Sequence, residues 1–380
     1  MNRLKDLSPW TVILLVFSIP LSTALTNIAL LLMLVAVGIS GNITKTLTLL
    51  ALHPVARMFG IFFGVFLIGS CYSIASPQDI LLMLKKMSKF LCFPVVLVFM
   101  REEKWRKRAL WTFLAAMTVS LLPLNNFFKD RIYTGLMMAF AAFIAAHFLR
   151  VYSSKYIIRS FLVLLLALLT FFVFFINKGR AGYVLYLLLA FLFFIRQNFI
   201  QRQFWVILVF LAFLTLVGFY STVLQQRIMD VYSDIVQYQI NSNFETSIGA
   251  RLAYYRHTLT LALQHPWLGA GTGSFASSYS TFAKTHHLLS TANPHNEYLN
   301  IFFQFGILGL GVLLTLFGTY YRQLTKISLP DRWLAEGLLV SVMVGCLANS
   351  WLMDFSSSHF FIVLSAVLFG STLDIQKELA

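Results

Sequence analysis

Long apolar runs broken by short polar clusters dominate the chain. Residues 7–44 carry no Asp, Glu, Lys or Arg, and neither do 58–78, 109–128, 132–149, 160–177, 203–226, 298–321, 337–353 and 355–373. Crossing roughly 30 Å of hydrocarbon takes about 20 helical residues, so runs of this length fit membrane spans. The first is long enough for two helices divided near Pro20. Two shorter stretches complete the set: 80–100, with three lysines in its first half, and 181–195. The pattern predicts an all-α polytopic membrane protein of about twelve transmembrane helices.

Composition agrees. Hydrophobic residues make up 59% and charged residues 11% of the 380, against roughly 25% charged in soluble domains. Such a chain has more apolar surface than one soluble core can hide, whereas lipid can act as its solvent. The formal charge of +15 raises the question of nucleic acid, but its distribution answers it. With the N-terminus inside, most Lys and Arg fall in inner segments, the densest being Arg101, Lys104, Arg106, Lys107 and Arg108. This positive-inside bias puts both termini in the cytoplasm and argues against a nucleic-acid partner. Cys71, Cys92 and Cys346 all lie in predicted spans, so no disulfide framework is expected in exposed loops. The first apolar run continues directly into a second and lacks a small-residue cleavage pattern, so it reads as structure, not as a signal peptide.

Three regions follow from this pattern: spans one to nine over 1–222, a long outer segment over 223–297, and spans ten to twelve with a cytoplasmic tail over 298–380. A connection this long in a compact chain is usually functional or disordered. Here the pattern predicts order. Ile228, Val231, Tyr232 and Ile235 recur at helical spacing, as do Leu252, Tyr255, Leu259 and Leu263. Thr246 or Ser247 suits the cap of the second helix, and Pro266 follows its end. Five of the eight histidines lie here. A lid lying on the membrane surface and a reactive site are both compatible with that composition. Gly60 and Gly64 form a small-xxx-small pair in span three, a sign of close helix packing.

Candidate chemistry gathers at outer span ends. In Asn293-Pro294-His295-Asn296-Glu297-Tyr298-Leu299, Asn is a favoured cap and Pro a favoured first helical residue. This predicts His295 in the first turn of an outward-facing helix N-terminus, a position that attracts phosphate and disfavours a protonated imidazole. His295 is then either a proton acceptor or an interfacial histidine filling a capping turn. Arg251 lies early in the loop's second helix, where its planar donor fork suits phosphate oxygens, or it is simply solvated. Arg180 sits in Asn177-Lys178-Gly179-Arg180-Ala181-Gly182, a very short outer turn. A charge there either snorkels or serves a site. Lys129 and Arg131 at another outer turn would add to the same basic surface, and Asn296 and Glu297 are further candidates for substrate contact.

Gly269-Ala270-Gly271-Thr272-Gly273 lacks the following Lys-Ser/Thr of a phosphate-binding P-loop and reads as a turn. Outer carboxylates are scattered and contain no Asp-x-Asp, so no metal site is expected. Arginines can neutralise a diphosphate leaving group instead. A transporter would more typically place ionisable groups at mid-membrane, in paired halves.

Taken together, Lys178-Gly179-Arg180-Ala181-Gly182, Ser247-Ile248-Gly249-Ala250-Arg251-Leu252, Pro266-Trp267-Leu268-Gly269-Ala270-Gly271 and His295-Asn296-Glu297-Tyr298-Leu299 resemble the bacterial O-antigen ligases. That group also contains O-antigen polymerases and protein O-oligosaccharyltransferases. The resemblance implies a metal-independent, cofactor-free glycosyltransferase of the bacterial inner membrane, with its active site on the periplasmic side. Its donor would be a glycan linked to undecaprenyl diphosphate, and its acceptor a sugar hydroxyl of lipid A–core. It also implies that Arg180 and Arg251 bind diphosphate and that His295 is catalytic. Related sequences often carry Ser or Thr where this chain has Gly179. The polymerase and the protein oligosaccharyltransferase are the alternative activities within the group; a transporter of lipid-linked sugars is the alternative outside it.

Overall fold

The computed structural model describes residues 2–122, 131–196, 211–212, 215–241, 246–286, 288–329 and 331–373. Every regular element among them is helical. The first half comprises α1 (Asn2–Leu21), α2 (Thr23–Ser40), α3 (Ile43–Leu52), α4 (Pro54–Ser70), α5 (Pro77–Met87), α6 (Cys92–Phe99), α7 (Glu103–Ser120) and α8 (Arg131–Val151). There follow α9 (Tyr156–Phe171), α10 (Arg180–Arg196), α11 (Thr222–Asn241), α12 (Ser247–Ala262) and α13 (Phe275–Thr285). The chain closes with α14 (Glu297–Gln323), α15 (Asp331–Ala348) and α16 (Phe355–Phe369).

Among the described residues, four segments, Thr23–Ser40, Ile132–Val151, Tyr156–Ile176 and Glu297–Lys326, are long and apolar enough to cross a membrane. A fifth follows if Ile43–Leu52 and Pro54–Ser70, bent by 89°, form one span. The difference from the expected twelve arises at particular runs. Run 80–100 is divided into α5, a 3-10 turn at Ser88–Leu91 and α6. That turn carries Lys89, which is buried and donates to the carbonyls of Met353 and Asp354 at 3.0 and 3.1 Å. Run 355–373 yields a helix of 15 residues, and much of 203–226 falls outside the described residues. The first run does divide beside Pro20, with Ser22 capping α2 through Leu25 N–H.

The core is built around α16, whose residues from Ser356 to Phe369 are all buried. A helix apolar on every side must be surrounded, and α16 packs against α1, α6, α7 and α15. Outside it, α8 packs closely on α10. A Cβ on Gly135 would lie 3.0 Å from the Gly182 Cα, so this pair of glycines permits near backbone contact. The pair read in span three behaves differently: a Cβ on Gly60 would meet Leu50 at 2.9 Å, whereas Gly64 has open space beside it.

Helix α14 is kinked at Gly306, with φ 61° and ψ −159°, a conformation essentially confined to glycine. The kink frees carbonyls that the 266–273 segment uses. Ala270 N–H donates to Phe303 O at 2.9 Å and Gly271 N–H to Gln304 O at 2.8 Å, while Ile307 N–H donates to Pro266 O at 2.8 Å. Gln304 Oε1 accepts from Gly273 N–H at 2.8 Å. The glycine-rich segment is therefore a turn docked on α14, and its amides are committed to the fold.

Candidate functional site

The turn between α9 and α10 is held by Asn177, buried at 4% exposure, whose Oδ1 accepts from Gly179 N–H at 2.9 Å. That turn delivers Arg180 as the first residue of α10. Thr246 Oγ1 accepts from Gly249 N–H at 3.1 Å and caps α12, which sets Arg251 at its second turn. Helix α11 lies between them. Asp234 Oδ2 accepts from Ile248 N–H at 3.3 Å and lies 3.6 Å from Arg180 Nη2. Asp230 Oδ2 lies 3.8 Å from the same nitrogen and 3.0 Å from Arg227 Nη1.

Lys178, Arg180, Arg227, Arg251, Asn349 and Trp351 border one cavity of about 350 Å³. Among the described residues, no carboxylate lines it. A second space of about 300 Å³ shares Lys178 and Arg227 and brings in Asp230. Asp230 and Asp234 offset part of the charge of Arg180 and Arg227, and the four basic side chains still give the concavity a cationic wall. Their geometry suits a ligand with several phosphate oxygens.

His295 departs from its expected position. It is not in the first helical turn: Asn296 is the cap, with its Oδ1 accepting from Leu299 N–H at 3.0 Å, and α14 begins at Glu297. His295 lies just before the cap with φ 55°. Asn293 Oδ1 holds that backbone by accepting from His295 N–H at 2.8 Å, and it also accepts from Ser350 Oγ at 2.7 Å. The imidazole stacks on Tyr254 at 6.1 Å between centroids, and its Nδ1 lies 3.0 Å from Asn349 Oδ1. Tyr255 donates its hydroxyl proton to His295 O at 2.9 Å; burial raises the pKa of that phenol above its usual value, keeping it a donor.

Asn349 thus stands between cavity and histidine. Its Nδ2 donates to Asp354 Oδ2 at 3.3 Å, and the Tyr133 hydroxyl donates to the same oxygen. An ionised carboxylate only accepts, so the amide nitrogen faces Asp354 and the amide oxygen faces His295. The oxygen then accepts from Nδ1–H, which leaves Nε2 as the basic ring nitrogen.

Of the residues proposed from sequence, Arg180 and Arg251 share the cavity, while His295 contacts Asn349, which lines it. Asn296 is a cap whose Nδ2 donates to Leu347 O at 3.1 Å. Glu297 is fully buried, accepting from Leu352 N–H at 2.8 Å, and so braces the turn that carries Asn349. Lys129 and the Arg131 side chain lie outside the described residues. Arg227 and Asn349 were not foreseen. Arg227 borders an apolar helical stripe like any solvated arginine, and nothing local distinguishes Asn349. Among the described residues, no three His, Cys, Asp or Glu side chains are grouped to hold a metal ion.

The apolar helices suggest a multi-pass membrane protein, and basic side chains border its cavity. Residues 164–314 match the model of the O-antigen ligase family. The match runs from α9 into α14 and contains Arg180, Arg227, Arg251 and His295. This is the family that the four sequence motifs resemble. A comparison with curated proteins gives no match.

Proposed function

We propose that the chain is an O-antigen ligase of a bacterial inner membrane, with about twelve spans and its cavity on the periplasmic side. The observation that carries this reading is the convergence of Lys178, Arg180, Arg227 and Arg251 on one cavity, with Asn349 linking that cavity to His295. The donor is a glycan linked to undecaprenyl diphosphate, and the acceptor a sugar hydroxyl of lipid A–core.

In the proposed reaction the acceptor oxygen attacks the anomeric carbon of the donor. The bond from that carbon to the diphosphate oxygen breaks, and its electron pair leaves with the diphosphate. His295 Nε2 takes the hydroxyl proton, while Nδ1–H stays on Asn349 Oδ1. Arg180 and Arg251, supported by Lys178 and Arg227, stabilise the charge growing on the leaving group. Four basic side chains meet the electrostatic need that a divalent cation would otherwise meet, so the reaction is proposed to be metal-independent. Both substrates carry lipid tails and enter sideways from the bilayer.

The test is reconstitution of the purified protein with lipid-linked glycan and lipid A–core, without ATP. Joined product from the wild type and none from His295→Ala is the expected result. Normal transfer by His295→Ala removes the histidine from catalysis. Extension of a second lipid-linked glycan, with no transfer to lipid A–core, identifies a polymerase instead.

A further inference from the structure

A second cavity, of about 670 Å³, opens between α8, α9 and α10, well away from the cationic site. Ala142 and Ala146 on α8, Val163 on α9 and Ala190 on α10 form apolar walls; among the described residues, Arg150 and Arg159 are the charged members of its lining and no carboxylate joins them. Small side chains on two neighbouring helices leave the groove, and two arginines on separate helices close one end of it.

The groove's level in the membrane follows from helix geometry. Tyr133, which contacts Asp354 beside the cationic site, and Arg150 lie on the same helix. At about 1.5 Å per residue they are roughly 25 Å apart along the axis, close to the thickness of a hydrocarbon core. Aromatic residues mark the same level as Arg150. Trp111 packs on Tyr152 and Phe148 at 5.6 and 5.0 Å, and its indole N–H lies 3.4 Å from the Tyr152 hydroxyl. Trp333 lies 5.8 Å from His147. Trp and Tyr gather where a membrane meets water.

We propose that this groove binds an anionic phospholipid from the leaflet opposite the cationic site. Its acyl chains lie along the alanine-walled groove, and its phosphate sits between Arg150 and Arg159. The paired arginines at a headgroup level, above an apolar slot without carboxylates, favour a lipid with net negative charge over a zwitterionic one. Such a lipid would fasten α9 and α10, the helices whose far ends carry the Arg180 turn.

The test presents the full-length protein in detergent with equal amounts of phosphatidylglycerol and phosphatidylcholine and counts retained lipid by native mass spectrometry. The wild type should retain phosphatidylglycerol preferentially. Arg150→Gln and Arg159→Gln should each lower that preference roughly fivefold, and Ala146→Trp should lower retention of both lipids. Both arginines are exposed, so their variants are expected to fold. Equal retention of the two lipids by the wild type overturns the proposal, as does an unchanged preference in the double Arg150→Gln/Arg159→Gln variant. Neither outcome bears on the transfer reaction.

Discussion

His295 Nδ1 and Asn349 Oδ1 are 3.0 Å apart, and through this contact a residue of the cavity wall fixes the orientation of an imidazole that does not itself line the cavity. Asp354 and Tyr133 stand behind Asn349 and set which end of its amide faces the ring. Asn349→Ala should therefore lower kcat about tenfold to a hundredfold with little change in donor KM, because it removes ring positioning and not substrate binding. Steady-state transfer assays separate the two. A raised KM with unchanged kcat would show that Asn349 contacts substrate directly.

Arg180 is shared between Asp230 and Asp234 at 3.8 and 3.6 Å. Asp234 also accepts from Ile248 N–H, so it has a structural duty; Asp230 is more exposed and contacts Arg227 as well. In the proposed reaction a diphosphate competes with Asp230 for these two arginines. Asp230→Asn should lower donor KM by up to about fivefold, the range of a partly exposed ion pair. An increase in KM would mean that the carboxylate holds the arginines in their binding pose.

Arg251 enters the cavity from a capped helix, where its fork can engage two phosphate oxygens at once. Lysine keeps the charge but loses the planar pair of donors. Arg251→Lys should reduce kcat/KM by about tenfold or more, and raised salt should not restore it. Full activity in the lysine variant would reduce the role of Arg251 to simple charge.

Gly306 has φ 61°, and a Cβ there would lie 2.3 Å from Trp267 O and C. Gly306→Ala should cost about 3 kcal/mol or more, combining a glycine-only backbone region with a clash against main chain that cannot rotate away. The thermal unfolding midpoint in detergent should fall accordingly. A midpoint equal to the wild type would show that α14 can straighten and that the 266–273 turn does not depend on its kink.

His257 Nδ1 lies 3.1 Å from the Tyr279 hydroxyl, joining α12 to α13. Burial, followed by the charges of Arg256 and His286, lowers its pKa below the usual histidine value. Above about pH 6.5 the imidazole is neutral in folded and unfolded states alike, and the contact contributes fully. As pH falls below that value the unfolded state takes up a proton that the folded state refuses, so the stabilisation is lost towards acid. Amide exchange in α12 and α13 should quicken between pH 7 and 5, and His257→Gln should flatten that dependence. Exchange that slows on acidification, after correction for intrinsic rates, would contradict it.

The apolar runs alone determined that this chain is helical and built for a membrane, because helix periodicity and hydrophobic length are short-range properties. They also located the turn that carries Arg180, and they left the cap before Arg251 between Thr246 and Ser247, which the structure settles on Thr246. Segment ends were less legible. Lys89 interrupts the run at 80–100 by binding carbonyls of residues 353 and 354, a distant partner that no local window contains. At the site, the motif around His295 was visible, yet its geometry was not: Asn293 looked like a helix cap, but Asn296 takes that role and frees Asn293 for Ser350. Only the packed structure put Arg227 among the cavity's cations, buried Glu297 under the 349–354 turn, and set Asn349 against His295. Those relationships join side chains tens to hundreds of residues apart. They depend on how helices pack, and a linear pattern of polar and apolar positions does not encode that packing directly.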